Sequence, residues 1–211
     1  AAIAKALGGL SGNQIGAIAG DQADAEAMFA LKGLMDDLGS PNVDCRQDGA
    51  VLGGGSRAGY LFNTTIAGID EADVCLLVGT NPRLEAPIIN ARLRKRYLAG
   101  GFTVGVVGPE AALTYPAQRL GAGPETLSEI AAGTHSFASV LKDAERAMII
   151  VGMGACARPD GAAVLATARK IAEDCGVVSD DWNGFNVLST AASRVAGLDL
   201  GLVASNSAAS P

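Results

Sequence analysis

From residue 71 to residue 107 the chain passes twice from an unbroken apolar run to a polar break. Asp73–Gly79 (DVCLLVG) is apolar with almost no alternation, the pattern of a strand buried on both faces of a parallel sheet. Gly79 lets the backbone turn without a Cβ clash, and Asn81-Pro82 imposes an extended step before a helix from about Ala86 to Leu98. Gly100-Gly101 breaks that helix, and 102–107 (FTVGVV) reads as a further buried strand. In an open α/β sheet ligands bind at the carboxyl ends of strands, which places the Gly79–Pro82 turn where a cofactor would lie.

The same alternation extends to both sides. Residues 14–20 (QIGAIAG) form a short apolar strand ending in glycine. Asp21 is placed to cap a helix over 22–38, with Ala27, Met28, Leu31, Leu34, Met35 and Leu38 as its apolar positions. Gly39-Ser40-Pro41 stops it, 42–45 is a second short strand, and 48–63 reads as a long Gly-rich loop with a helical turn. Pro124 starts a helix reaching Gly133, and 136–144 is helical. Residues 148–152 (MIIVG) are the fourth clear strand, followed by a Gly/Arg/Pro/Asp loop, a helix over 161–175 and a last helix over 185–196. Strands alternating with helices imply an α/β fold, doubly wound, with a mostly parallel sheet covered on both faces. No linker divides it, so residues 1–204 are expected as one domain, with 205–211 (SNSAASP) a flexible tail.

Composition sharpens this picture. Hydrophobic residues make up 49% of the 211 residues, aromatics only 4%, and there are 28 glycines. That balance suits helices packed closely on a parallel sheet better than an aromatic-rich β-sandwich. A net charge of −6 argues against a nucleic-acid surface. No apolar stretch approaches the roughly 20 residues that span a bilayer. The opening residues AAIAKALGGLSG lack the pattern of a secretion signal and look like a helix cut from a longer protein. Cys45, Cys75, Cys156 and Cys175 are widely separated, and His135 is the single histidine. This chain alone therefore offers no metal-ligand spacing, and Cys75 and Cys175 read as small core residues.

Three segments are candidates for chemistry. The loop Gly16–Asp21 precedes a helix, but it lacks the GxGxxG spacing and Asp21 would repel an anion. Gly152–Gly161 (GMGACARPDG) is the better anion candidate, with Arg158 and a following helix, although a tight strand-to-helix turn requires the same glycines. Arg92, Arg94, Lys95 and Arg96 would suit an acidic partner, or would simply form a solvated last turn complementing the helix dipole. His135 lacks a paired nucleophile and acid and reads as a helix-start residue, while Trp182 reads as an anchor beneath a turn.

Residues 71–95, EADVCLLVGTNPRLEAPIINARLRK, closely resemble the large iron–sulfur subunit family of the NADH–quinone oxidoreductases of respiratory complex I. NTTIAGIDEAD, ALTYPAQRLG, GTHSFASVLKDA, ARPDGAAVL and VAGLDLG agree in order, so the resemblance covers nearly the whole chain. It implies a C-terminal domain similar to molybdopterin oxidoreductases such as formate dehydrogenase and periplasmic nitrate reductase. In active relatives a Gly-x-Asn-Pro turn contacts the pterin–guanine dinucleotide, which falls on Gly79, Thr80, Asn81 and Pro82, here as a vestige. Their Cys, selenocysteine or Ser metal ligand follows an Asn-x-Asp segment. Here Asn42-Val43-Asp44 leads to Gly49, Ala50 and Val51, which cannot ligate, and Cys45 comes too early.

The resemblance thus implies a structural or assembly part without catalytic residues, metal or redox centre of its own. The iron–sulfur clusters would belong to an N-terminal region of the full subunit. The whole enzyme passes electrons from NADH to quinone, coupled to proton translocation. Other peripheral-arm subunits would be the partners, with no nucleic acid and no membrane insertion, on the cytoplasmic side of a bacterial membrane or the matrix side in a mitochondrion. The alternative is the cofactor-binding domain of an active molybdopterin oxidoreductase whose ligand comes from elsewhere. A plain nucleotide-binding module using Gly152–Gly161 is a weaker third reading.

Overall fold

The computed structural model describes residues 2–52 and 55–204. The expected tail at 205–211 and Gly53-Gly54 of the long loop lie outside them. Two compact units emerge, one made of Ala1–Gly54 with Ala191–Pro211 and the other of Gly55–Thr190.

The first unit contains α1 (Ala2–Leu7), β1 (Ala17–Ile18), α2 (Ala25–Asp37), β2 (Val43–Asp44) and a C-terminal helix, Arg194–Asp199. β1 and β2 pair in parallel, Ala17 with Val43 and Ile18 with Asp44. The expected cap at Asp21 is corrected: Asp24 caps α2, its carboxylate accepting the Ala27 N–H at 2.7 Å. Asp21 instead faces Arg194, 4.0 Å away, and its carbonyl accepts the Ser193 N–H. Of the apolar positions expected to face inward on α2, Met28 and Met35 are buried, whereas Leu34 is exposed. Met28 packs toward Cys45 across Gly197, where an added Cβ would stand 2.7 Å from the Cys45 sulfur and 3.6 Å from that of Met28.

The second unit carries the α/β fold. After α3 (Thr65–Gly68) come β3 (Val74–Val78), α4 (Pro82–Glu85), α5 (Pro87–Leu98), β4 (Thr103–Val107) and β5 (Gln118–Gly121). They are followed by α6 (Pro124–Ala131), α7 (Phe137–Lys142), β6 (Ala147–Gly152), α8 (Met153–Cys156), α9 (Gly161–Asp174) and β7 (Phe185–Leu188). The five strands are all parallel in the order β5-β4-β3-β6-β7. Every residue of β3 and β6 is buried, which explains their continuous apolar composition.

Alternate side chains serve the two faces of the sheet. Cys75, Leu77, Val104, Val106, Met148 and Ile150 share a core with Ile89 and Leu93 of α5. On the opposite face Gly105 leaves room for Phe137 of α7, whose ring a Cβ would meet at 2.6 Å. α9 packs on β6 and against α6. Helices therefore cover both faces, as a doubly wound sheet requires.

Two elements differ from the sequence reading. β5 is a half-exposed polar edge strand (QRLG) that no apolar pattern announces. Residues 185–188 form β7 and not the start of a helix; the helix expected there begins only at Arg194. A four-residue apolar run fits either structure locally. Here β6 supplies a parallel ladder, and Asn186, with no exposed surface, is satisfied by Thr64 and by the Gly184 carbonyl. Trp182 is the expected anchor: its Nε1–H donates to the Ala147 carbonyl at 2.7 Å, with Arg146 stacked over the ring.

Candidate functional site

The order of the central strands creates a crevice. From β3 the chain moves to β4 and β5 on one side, then returns to place β6 on the other side of β3. Ligands of open α/β sheets lie at such a switch point, outside the carboxyl ends of the strands. A cleft of about 160 Å3 is found there, bordered by Gly79, Gly108, Gly123, Gly154, Ala155 and Arg158 among others.

Glycines let the strand ends crowd together at this edge. Gly79 has φ +56°, and a Cβ on it would stand 2.6 Å from the Ala155 Cβ. Its N–H donates to the Val107 carbonyl. A Cβ on Gly152 would meet the Thr80 Cβ at 2.4 Å, and one on Gly154 would meet the Gly79 carbonyl oxygen at 2.8 Å. The one-turn helix α8 therefore sits directly against the Gly79 turn, its close approach possible because these positions lack side chains.

Two donors of the turn are satisfied by the chain itself. Thr80 is buried, and its hydroxyl donates to one carboxylate oxygen of Glu85 at 2.7 Å. The Asn81 N–H donates to the other oxygen, also at 2.7 Å. Glu85 thus occupies the donors that a phosphate would need. Of the four turn residues singled out in the sequence, only Gly79 borders the cleft; Thr80, Asn81 and Pro82 do not. The Asn81 amide oxygen is buried without a hydrogen-bond partner.

Arg158, from the Gly152–Gly161 loop, does reach the cleft. Its Nε and Nη2 donate to the two oxygens of Asp160 at 2.6 and 2.8 Å. This fork raises the basicity of Arg158, which the Glu125 charge at the start of α6 raises further, and holds the Asp160 carboxyl below its usual range. The cation is paired with a carboxylate of its own loop.

The first-unit segment that follows Asn42-Val43-Asp44 is packed in a different way. Arg46 lies against Asp44, with Nε–Oδ1 2.9 Å and Nη2–Oδ2 2.8 Å, while its Nη1 donates to the Leu52 carbonyl. Burial opposes ionisation of Asp44, but the hydrogen bonds from Arg46 outweigh it and hold the carboxyl below its usual range. Cys45 is buried, and burial pushes its thiol up, against the nearby Arg194 charge. Ala50 is also buried and Val51 half-buried. Cys75, Cys156 and Cys175 are likewise buried. Among the described residues no three His, Cys, Asp or Glu side chains gather where they would hold a metal.

The remaining candidates are structural. The Gly20–Asp21 backbone is fastened to Ser193, whose hydroxyl donates to the Gly20 carbonyl at 2.8 Å. Arg194, with a side chain 1% exposed, lies 3.1 Å from Asp48. His135 accepts the Phe137 N–H through Nδ1 at the start of α7, as a helix-start residue does. The basic end of α5 is not simply solvated: Arg92 and Lys95 converge on Asp70, each at 2.9 Å, and Arg96 donates to the Ala72, Gly100 and Gly101 carbonyls. Sequence reasoning missed Glu85, Arg46 and Arg194. Glu85 had a local signal, a carboxylate three residues into a Pro-initiated turn, whereas the two buried arginines had none.

Comparison with known proteins supplies what geometry alone does not. The family model for molybdopterin oxidoreductases matches residues 1–210. The chain is 46% identical over 203 residues to the potato (Solanum tuberosum) mitochondrial "NADH dehydrogenase [ubiquinone] iron-sulfur protein 1", covering 96% of this chain and 28% of that protein. It is 47% identical over 188 residues to a subunit of the NADH-quinone oxidoreductase of Rickettsia conorii, covering 89% and 28%. The like-named subunit of Rickettsia felis is 44% identical over 199 residues, covering 94% and 30%. The chain therefore spans less than a third of the length of these relatives.

Measured against the group that gives the family its name, the cleft does not fit as it stands. Pockets that enclose organic ligands run to about 300–1,000 Å3, and this one is about 160 Å3. Its bordering cation is paired with Asp160, and two donors of the adjoining turn are already bonded to Glu85.

Proposed function

The chain belongs to the molybdopterin oxidoreductase family, and from that premise we propose that it serves as a structural and assembly domain of the large iron–sulfur subunit of an NADH–quinone oxidoreductase. The observation that carries this reading is the continuous match, 46% identity over 96% of the chain, to a protein named as an iron–sulfur protein of NADH dehydrogenase. Electrons would pass from NADH to quinone through centres elsewhere in the complex, coupled to proton translocation. This domain would contribute no catalytic residue. Gly79, Thr80, Asn81 and Pro82 are then the remnant of a pterin-dinucleotide turn, a reading supported by Glu85 on its donors.

Its partners are the other peripheral-arm subunits, and its place is the cytoplasmic face of a bacterial membrane or the matrix face of a mitochondrial one. No described helix is long and apolar enough to cross a membrane, which agrees with a peripheral position.

Affinity purification of the full-length tagged protein from its own cells tests the assignment. NADH–quinone oxidoreductase activity and its other subunits should be recovered with the tag. Recovery of a molybdenum-dependent oxidoreductase, without those subunits, would refute it.

A further inference from the structure

One face of α5 remains unexplained. Ile89 and Leu93 turn inward to the core. Yet Ile88 is 70% exposed and Leu98 64% exposed, and Ala91 and Lys95 between them are exposed too. These four positions are separated by three, four and three residues, the spacing of an a/d seam that packs against a second helix. Leu84, just before α5, is 76% exposed. A helix that buries one side and still exposes Ile88 and Leu98 on the other has apolar positions left over for something outside the unit.

Charge narrows what that something is. In the heptad frame set by Ile88, Arg92 and Arg94 occupy the flanking e and g positions, which select partners by charge. The Arg94 and Arg96 guanidiniums bond backbone carbonyls, so their charges are uncompensated by those contacts. Asp70 neutralises one charge of the Arg92–Lys95 pair. The seam is thus a locally cationic strip on a chain whose net charge is −6. A second copy would set Arg92 and Arg94 against themselves, with Lys95 within its seam, which disfavours self-association. An anionic membrane would face a narrow seam without tryptophan, on a chain that is negative overall.

We propose that the Ile88–Leu98 face of α5 docks an acidic amphipathic helix of a different subunit. Its apolar ridge would lie on Ile88, Ala91 and Leu98, with carboxylates beside Arg92, Arg94 and Lys95. This rests on the reading of the chain as a subunit and names the surface that reading requires.

The test is site-specific photo-crosslinking from positions 88 and 98 of the full-length protein in its purified native complex. Both sites should join the same peptide of another polypeptide, one whose apolar residues follow the three–four spacing and are flanked by Asp or Glu. Arg94→Glu should lower the yield at position 88 at least about fivefold, as like charges meet across an interface, with the melting temperature unchanged. Crosslinks within the chain, to a second copy or to lipid, or none at either site, would overturn the proposal. If the complex is recovered without crosslinks, only the docking surface falls; if no oxidoreductase subunit is recovered, the subunit assignment falls with it.

Discussion

At the carboxyl end of β3, Glu85 presents a carboxylate to two donors of the Gly79–Pro82 turn. In the other unit, Arg46 presents a guanidinium to Asp44 and to the Leu52 carbonyl. In both segments a side chain of the protein itself bonds the neighbouring polar groups. They differ in what holds them. The turn depends on sterics: Gly79 and Gly152 at strand ends and Gly154 within α8 allow an approach at backbone distance, and Glu85 completes a shape already set. The Asp44–Leu52 loop depends on charge, because Arg46 has a side chain only 5% exposed and must remain paired there. A side chain that fixes a loop by charge is harder to lose than one that decorates a steric turn.

Substitutions sharpen or break that contrast. Arg46→Met should be the most damaging, since it takes the guanidinium from the Leu52 carbonyl and leaves Asp44 only backbone N–H donors; breaking a largely buried pair by removing one partner costs about 3 kcal/mol. Denaturant unfolding followed by circular dichroism would read it as a lowered midpoint. Gly79→Ala should cost about 2 kcal/mol by the same measurement, combining a left-handed backbone with a Cβ forced against Ala155. A Gly79→Ala protein as stable as the parent would show that the close approach of α8 is not what sets the turn. Glu85→Gln keeps one acceptor and loses the other, so about 1 kcal/mol is expected. A larger loss than that of Arg46→Met would invert the comparison.

The smallest effect is on pH. Asp44 is held below its usual range in the folded protein. Its contribution to stability is therefore fully present above the unfolded carboxyl value of about 3.9 and is lost as pH falls through the lower folded value. Arg46→Met should weaken this acid-limb dependence, since only backbone N–H donors then favour the carboxylate, and unfolding midpoints between pH 5 and pH 2 would show whether it does.

The parts of the fold legible in the sequence were those set by burial on both faces. β3, β4 and β6 consist of apolar residues because helices cover each side, and Gly100-Gly101 and Pro124 mark real element boundaries. β5 was invisible because an edge strand needs only one neighbour and tolerates Gln118 and Arg119 on its exposed side. β7 was misread because Phe185–Leu188 is too short to show a period, and the polar Asn186 within it is a fully buried link to Thr64.

At the candidate site the sequence marked the turn correctly as a strand-to-helix connection. It did not show that Gly79 alone would border the cleft, nor that Arg158 would be taken by Asp160. Those outcomes depend on side chains brought together by the fold. No spacing rule encodes the placement of Glu125 near Arg158, or of Arg194 beside Asp48.

The proposed role requires that this domain work without a cofactor of its own. The most direct test is metal analysis of the full-length protein, purified in its complex, together with fluorescence of extracted and oxidised pterin. Iron is expected, but neither molybdenum nor pterin above background. One molybdenum or one pterin per chain would contradict the claim.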